Sequence, residues 1–567
     1  MKILIVGGVA GGATCAARAR RLSEEAEIIL IDRGPYVSFA NCGLPYFVGD
    51  VIRDEKNLLV ATPELFKNRF NIEVRLQNEV TRISREKQTV EIKDLKTGRI
   101  YEESYDALVL SPGASPIKPP LPGIDHEGIF VLRTIPDSRK IKTWIQEKKV
   151  QSAVLVGGGF IGLEMAENLA RFGIQLSIIE MQTQVLPPFD PEMVSALHTH
   201  LKSKGITLLL GQAVSGFEKN ADGSLTVLTK GGLRVKAGLV ILSIGVKPET
   251  RLAVDCGLEI GARGGIRVND QMKTSDAHIW AVGDAVESRD FITGEWITVP
   301  LAGPANRQGR VAADTIFNRP SRFRGIQGTA VCKVFDLVAA LTGANEKNLR
   351  RLNIPYQKAY LYPGHHAGYY PNARQIEIKL LFSPKDGKVL GAQAVGEEGV
   401  EKRIDVIAAI IQKSGTAYDL EEAELCYAPQ FGAAKDPVNM AGMLASNALR
   451  NDAPLAHWDQ IDLKTAFLLD VRTPEEYAAG HVENAVNIPL DQLRAKMQTL
   501  PRDKPIYAYC GVGQRGYYAV RALRCREFNA FNLSGGMKSY NALKSKEPAA
   551  APALPAAQTA KSPNPAF

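Results

Sequence analysis

No uninterrupted apolar run in the sequence approaches the roughly 18 residues that cross a bilayer as a helix, so no integral membrane protein is expected. Cysteine is sparse and scattered: seven residues, at 15, 42, 256, 332, 426, 510 and 525, without regular spacing. That excludes a disulfide framework, and no metal site is expected. The first residues, Met1-Lys-Ile-Leu-Ile-Val-Gly-Gly, read as a strand entering a turn and lack the pattern of a cleaved signal peptide. Reduced thiols and a cytoplasmic location follow as expectations. A base-reading motif is missing too: the net charge of +8, with a pI near 8.9, is dispersed and suits mild attraction for small anions rather than a nucleic-acid partner.

What is present is an ordinary folded composition, 45% hydrophobic and 23% charged, in a chain of 567 residues that is too long for one core. The strongest local pattern occurs twice. An apolar strand, Lys2 to Val6, leads into Gly7-Gly8-Val9-Ala10-Gly11-Gly12, a helical stretch from Ala13 to Leu22 and a second strand from Glu27 that ends at Asp32. The same order returns at Ser152 to Val156, Gly157-Gly158-Gly159-Phe160-Ile161-Gly162, a helix through Phe172 and a strand from Gln175 closing on Glu180. Glycines allow the backbone to approach a pyrophosphate at a helix N-terminus, and the terminal acid accepts from a ribose hydroxyl. Val9 replaces the middle glycine of the first copy; the second matches in full. Glu180 would repel a 2′-phosphate, which argues for NADH over NADPH.

Two further strand-to-glycine turns, Ala107-Leu-Val-Leu-Ser111-Pro-Gly113-Ala and Ile279-Trp-Ala-Val-Gly283-Asp284-Ala, complete a set that resembles the two-dinucleotide flavoprotein disulfide reductases over roughly the first 445 residues. The resemblance implies an α/β chain with two Rossmann-like domains and an α+β dimerisation domain. FAD would occupy a discontinuous domain at 1–112 and 246–324, the nicotinamide cofactor 113–245, and a homodimer interface 325–445. FAD contacts are then expected from Gly7, Gly8, Ala10, Gly11, Gly12, Asp32, Arg33, Ser38, Asn41, Ser111, Gly113, Gly283, Asp284 and Ala302. NADH contacts are expected from Gly157, Gly159, Phe160, Ile161, Gly162, Glu180 and Gly245.

Many members of that superfamily carry two cysteines separated by four residues, but the fifth position after Cys42 is Phe47. A single-cysteine mechanism follows, with Cys42 reduced by the flavin and its thiol pKa lowered by the helix N-terminus after it and by the flavin environment. The run Ser38-Phe39-Ala40-Asn41-Cys42-Gly43-Leu44-Pro45-Tyr46 resembles the coenzyme A-disulfide and persulfide reductases, and the first Gly-loop lacks the histidine of the peroxidases in the same branch. Arg18 and Arg21, three apart on one helix face, would meet the phosphates of coenzyme A, and Asn306 and Arg307 would line the coenzyme A or flavin site. Leu425-Cys426-Tyr427-Ala428-Pro429-Gln430-Phe431 matches the family's interface motif, whose tyrosine reaches the partner's active site. A second family tyrosine falls at Tyr369 or Tyr370, with neither preferred.

A linker is expected at 446–455, centred on Arg450 to Pro454, and a second architecture after it. Asp470-Val-Arg472-Thr-Pro-Glu-Glu-Tyr477, Gly480-His481 and the loop Cys510-Gly-Val-Gly-Gln-Arg515 resemble an α/β rhodanese domain at 456–546. Its glycines let N–H groups converge on one point, a cradle for a thiolate or persulfide, closed by Arg515. Asp470, Arg472 and His481 are read as structural, and Cys525 as packing on a helix, with resolution of a persulfide as its alternative role. An Ala/Pro/Lys-rich tail at 547–567 is expected to be disordered.

The reading is a cytoplasmic, homodimeric FAD enzyme that spends NADH on small persulfides, polysulfides or coenzyme A disulfide at Cys42, with Cys510 carrying sulfane sulfur. Coenzyme A enters as substrate or as held cofactor. The alternatives are an NADH oxidase with a sulfur-sensing module and a redox-sensing interaction protein.

Overall fold

The computed structural model describes residues 1–544; the tail expected to be disordered lies outside them. Strand Lys2–Val6 is apolar on both faces, with Ile3, Leu4 and Ile5 fully buried, and so takes the centre of a parallel sheet. The order across that sheet is Ile279–Ala281, Ala107–Leu110, Lys2–Val6, Glu27–Asp32 and Glu73–Leu76. A second parallel sheet repeats the plan: Thr207–Leu210, Gln175–Glu180, Ser152–Val156, Leu239–Leu242 and Ile129–Phe130. The helices after the two Gly-loops run Ala10–Arg20 and Phe160–Ala170, starting earlier and ending sooner than the apolar pattern suggested. Each loop needs glycine at its first position. Gly7 has φ +95° and a Cβ there would sit 2.1 Å from the Ser111 carbonyl oxygen; Gly157 has φ +110° and the corresponding gap to Ser243 is 2.4 Å.

The third unit is a five-stranded antiparallel sheet, Ala330–Val334, Leu337–Gly343, Val389–Gly396, Ile376–Phe382 and Gln357–Leu361 in spatial order, packed by helices Val400–Gln412 and Pro437–Leu449. The fourth is a parallel sheet ordered Leu455–Ala456, Ala530–Leu533, Ile506–Tyr509, Phe467–Asp470 and Val486–Asn487. The connection between these units is shorter than the expected 446–455. Helix Pro437–Leu449 continues to Leu449 and strand Leu455–Ala456 already pairs with Ala530–Leu533, which leaves 450–454 between them. Among the described residues no helix is long and apolar enough to cross a membrane.

The fourth unit is docked on the edge strand of the third. The Tyr360 backbone N–H donates to Ser534 Oγ at 2.8 Å, Tyr362 and Ser539 hydroxyls meet at 3.0 Å, and Lys358 Nζ lies 2.9 Å from Asp459. Beneath this contact Lys379 is fully buried, bonded to Asp190 at 2.8 Å, Glu346 at 2.6 Å and Glu192. Burial would push Glu346 up, but Lys379 and Lys358 hold it well below the usual carboxylate range. A buried ion costs several kcal/mol to desolvate, so this ammonium is tolerated because its partners surround it. It joins the second Gly-loop unit, the antiparallel unit and, through Lys358, the C-terminal unit.

Candidate active site

The two Gly-loop clefts share one hydrogen-bond arrangement. Gly8 N–H donates to Asp32 at 2.8 Å and Gly34 N–H to its other oxygen at 2.7 Å; Gly158 and Gln182 N–H groups hold Glu180 at 2.7 and 2.8 Å. Burial raises Asp32 against those donors. Each acid retains lone pairs for a ribose hydroxyl. A Cβ on Gly159 would meet nothing within 4 Å, so space lies open at the N-terminus of Phe160–Ala170, where Phe160 is half-buried and Ile161 exposed. Loop N–H groups, helix N-terminus, acid and open space together suit a dinucleotide pyrophosphate. Arg33 stands 3.6 Å from Glu249 along the first cleft.

The remaining turns converge here. Ser111 N–H donates to Val6 at 2.7 Å, Gly113 and Gly245 have φ of +75° and +109°, and Gly283 N–H donates to the buried Gln308 at 2.8 Å. Asp284 follows Gly283; burial pushes its carboxyl up and Arg133 opposes the shift. Ala302 opens helix Ala302–Ile316 and is exposed.

Cys42 lies in the short 3₁₀ turn Asn41–Gly43, just before helix Leu44–Val48. Ser38 N–H donates to the Gly8 carbonyl at 2.8 Å, and Asn41 Nδ2 donates to the Arg133 carbonyl at 3.2 Å. The first bond straps the thiol's segment to the first Gly-loop, and the second ties it to the segment that leads into helix Ile135–Glu147. The expected lowering of its pKa is not what the protein's own groups produce. Partial desolvation, then the Glu164 and Asp284 carboxylates, push the Cys42 thiol up. The physical reason is that the following helix has only five residues, too short for a strong dipole, while two acids face the sulfur. Phe47 is buried core, as a residue with no redox role should be.

Glu164 and Arg133 carried no signal in the sequence. Glu164 sits one turn into Phe160–Ala170, bonded to Tyr46, and burial followed by Glu167 pushes it up to about 7. Burial and then Glu164 raise Tyr46 to about 12. The buried Cys332 thiol is raised by burial and the same two acids. Only the crossing of three chain segments brings these groups together.

The coenzyme A candidates divide. Arg18 is not free for a phosphate, since its guanidinium pairs with Asp314 at 2.7 Å on the helix packed against it. Arg21 caps the first helix and is exposed. Asn306 bonds to Thr14 across the same helix pair. Arg307 stands apart: it lies over Phe323, 5.4 Å from the ring centre, and lines a cavity with Pro304, Gln327 and Asp405. The two adjacent tyrosines have different surroundings. Tyr369 and Tyr427 hydroxyls meet at 2.6 Å, both side chains exposed, whereas Tyr370 packs edge-on against His366.

Cys510 ends strand Ile506–Tyr509 and is 1% exposed. Gly513, at φ +98°, donates its N–H to Cys510 Sγ at 3.2 Å, and helix Gln514–Arg524 begins there. Arg515 is held by Glu476 through two bonds of 2.7 and 2.6 Å. Asp470 and Arg472 form a buried pair at 2.6 Å, and His481 stacks on Tyr477. Cys525 does not pack on its helix: it caps the helix end and is exposed.

Comparison with known proteins decides the affiliation of this arrangement. The profile for pyridine nucleotide-disulphide oxidoreductases matches residues 1–309 and the one for their dimerisation domain 329–436. The chain belongs to the pyridine nucleotide-disulphide oxidoreductase family. Residues 454–543 match the rhodanese-like domain. Among this oxidoreductase's relatives, the coenzyme A disulfide reductase of Staphylococcus haemolyticus is 34% identical over 445 residues, 78% of this chain and 99% of that one. An NADH oxidase of Methanocaldococcus jannaschii is 36% identical over 80% of this chain and all of its own. The crystal structure of reduced Bacillus anthracis CoADR-RHD superimposes with a TM-score of 0.94 at 47% identity, covering 96% of this chain and 98% of that one. An NAD-dependent persulfide reductase from A. fulgidus superimposes at 0.88 and 36%, over 95% and 100%.

Proposed function

We propose that this cytoplasmic, homodimeric oxidoreductase uses NADH to reduce low-molecular-weight persulfides, polysulfides or coenzyme A disulfide at Cys42, and that Cys510 carries sulfane sulfur. The observation that carries the reading is a lone cysteine strapped to the first of two dinucleotide clefts, in one chain with a second cysteine whose sulfur accepts the Gly513 backbone N–H. Bound FAD and NADH supply the electron pair. Asp32 and Glu180 hold the adenosine riboses, and Glu180 disfavours a 2′-phosphate. Cys42 thiolate attacks substrate sulfur, the S–S bond breaks, and the departing sulfur takes a proton. Tyr427, bonded to Tyr369 on the exposed face of the dimerisation unit, supplies that proton to the Cys42 site of the opposite subunit. Arg21 and Asn306 hold the coenzyme A portion.

Anaerobic NADH consumption with stoichiometric sulfide release, lost in Cys42→Ser with FAD retained, is the expected result. Full turnover in that variant rejects the reading. The archaeal relative named as an NADH oxidase supports a second reading in which oxygen takes the electrons. Faster NADH consumption with oxygen alone than with persulfide under argon selects it.

A further inference from the structure

Tyr369 sits at the far end of a hairpin whose base is bonded to the C-terminal unit. Strands Gln357–Leu361 and Ile376–Phe382 pair antiparallel, and the ladder continues past them. Ile376 N–H donates to the Pro363 carbonyl at 2.8 Å, Gly364 bridges Gln375, and His365 N–H donates to the Arg374 carbonyl at 2.8 Å. Residues 366–373 are left as the tip. There the Ala367 N–H, bonded to the Gly432 carbonyl at 2.8 Å, ties the tip to the segment that carries Tyr427. The placing of the Tyr369 hydroxyl against Tyr427 thus follows from the register of this ladder.

Tyr362 and Gln375 flank the point where the chain leaves the sheet, and both meet the first turn of helix Gly536–Lys544. Ser539 Oγ lies 3.0 Å from the Tyr362 hydroxyl; Lys538 Nζ donates to Gln375 Oε1 at 3.2 Å and sits 4.4 Å from the centre of the Tyr362 ring. Lys538 therefore reaches both sides of the hairpin. The same turn closes the Cys510 loop, since the Met537 and Lys538 N–H groups donate to the Cys510 and Gly511 carbonyls at 2.8 and 3.0 Å. Within the antiparallel unit the Tyr362 hydroxyl also donates to Glu377 at 3.2 Å, and Arg403 donates to the His365 carbonyl at 2.6 Å. Those contacts remain when the helix lets go.

Resting on the proposed proton-donating role of the tyrosine pair, we infer that Lys538 is a positioning residue for the reduction at Cys42: it clamps the hairpin base and so keeps Tyr369, and through it Tyr427, in register for the departing sulfur. The C-terminal unit then serves the reductase step in a way that does not use Cys510. One exposed cation–π contact and one amide hydrogen bond are modest, so their loss slows the step without abolishing it. A group placed for proton transfer acts in the transition state, and the loss falls on kcat rather than on substrate binding.

The test uses the full chain with FAD bound and reads anaerobic steady-state NADH oxidation with 2-hydroxyethyl persulfide as substrate. Lys538→Ala should lower kcat about fivefold with KM for the persulfide within about twofold, and Lys538→Arg, which can keep both contacts, should recover most of it. In a Tyr369→Phe background, where the hydroxyl link is already gone, Lys538→Ala should cost less than about twofold further. An unchanged kcat when Lys538→Ala and Ser539→Ala are combined, or the same loss of about fivefold in the Tyr369→Phe background, overturns the positioning role. An equal loss in Cys510→Ala, which leaves the hairpin untouched, overturns it too, because the helix would then act through the thiol. Unchanged kcat in Tyr427→Phe instead overturns the proton-donating role on which it rests.

Discussion

The two cysteines on which the proposed function rests sit in opposite surroundings. Cys42 is exposed on a three-residue turn, faces the Glu164 and Asp284 carboxylates, and receives no cation from the protein. Cys510 is buried at the start of an eleven-residue helix, with a backbone N–H directed at its sulfur and Arg515 close by. The contrast teaches that surroundings differ with the origin of the contacts: acids distant in sequence lie toward the Cys42 sulfur, while the Cys510 sulfur accepts an N–H from its own loop.

The sharpest way to break the comparison is to remove each sulfur. Cys42→Ser should lower NADH-dependent sulfide release by roughly 10⁴-fold or more, measured in steady state. Cys510→Ala should leave reduction of small soluble persulfides within about twofold; a comparable loss in both variants would mean that the two thiols act in series. Next in size is the buried ion cluster around Lys379. Lys379→Met strands Asp190, Glu192 and Glu346 and should cost about 3–5 kcal/mol in denaturant unfolding, loosening the C-terminal unit. Tyr427→Phe should lower kcat by about 100-fold with little change in the rate of Cys510 loading.

The smallest effect concerns the acid that faces Cys42. Glu164 titrates near 7 in the folded protein, against an ordinary value near 4.5. Its folded pKa is raised, so the stability linked to its proton is present below about 4.5 and is lost as pH rises towards 7. Glu164→Gln should therefore raise Tm at pH 8, by about 2–3 kcal/mol in stability, and leave it unchanged at pH 4. It should also lower the thiol pKa of Cys42, read by the pH dependence of its alkylation. An unshifted alkylation profile would remove Glu164 from the thiol's surroundings.

Most of the fold was legible because its signals are local. The strand, Gly-loop, helix and terminal acid of each nucleotide unit lie within about thirty residues, and the acids occupy the positions their spacing implied. The rhodanese-like loop is equally local. The helix limits shifted, since apolar periodicity does not mark where the first N–H groups of Ala10–Arg20 begin. Arg18 misled for another reason. Its helix-face spacing from Arg21 was real, but Asp314, nearly three hundred positions on, claims the guanidinium. The Cys42 pKa was read from the element after it, whereas the acids that set it lie far along the chain.

By itself the sequence determined the order of units, the two dinucleotide cradles, the lone Cys42 and the Cys510 loop, because each is written in neighbouring residues whose backbone demands are fixed by glycine, proline and side-chain period. Only the tertiary structure decided that Glu164 and Asp284 confront Cys42, that Tyr369 rather than Tyr370 joins Tyr427, that Glu476 takes up Arg515, and that Lys379 joins the second Gly-loop unit to the antiparallel unit while Lys358 reaches the C-terminal one. Those outcomes depend on charges and hydroxyls brought within a few ångströms by folding, and Coulomb and hydrogen-bond energies depend on separation in space and on desolvation, which spacing along the chain does not encode.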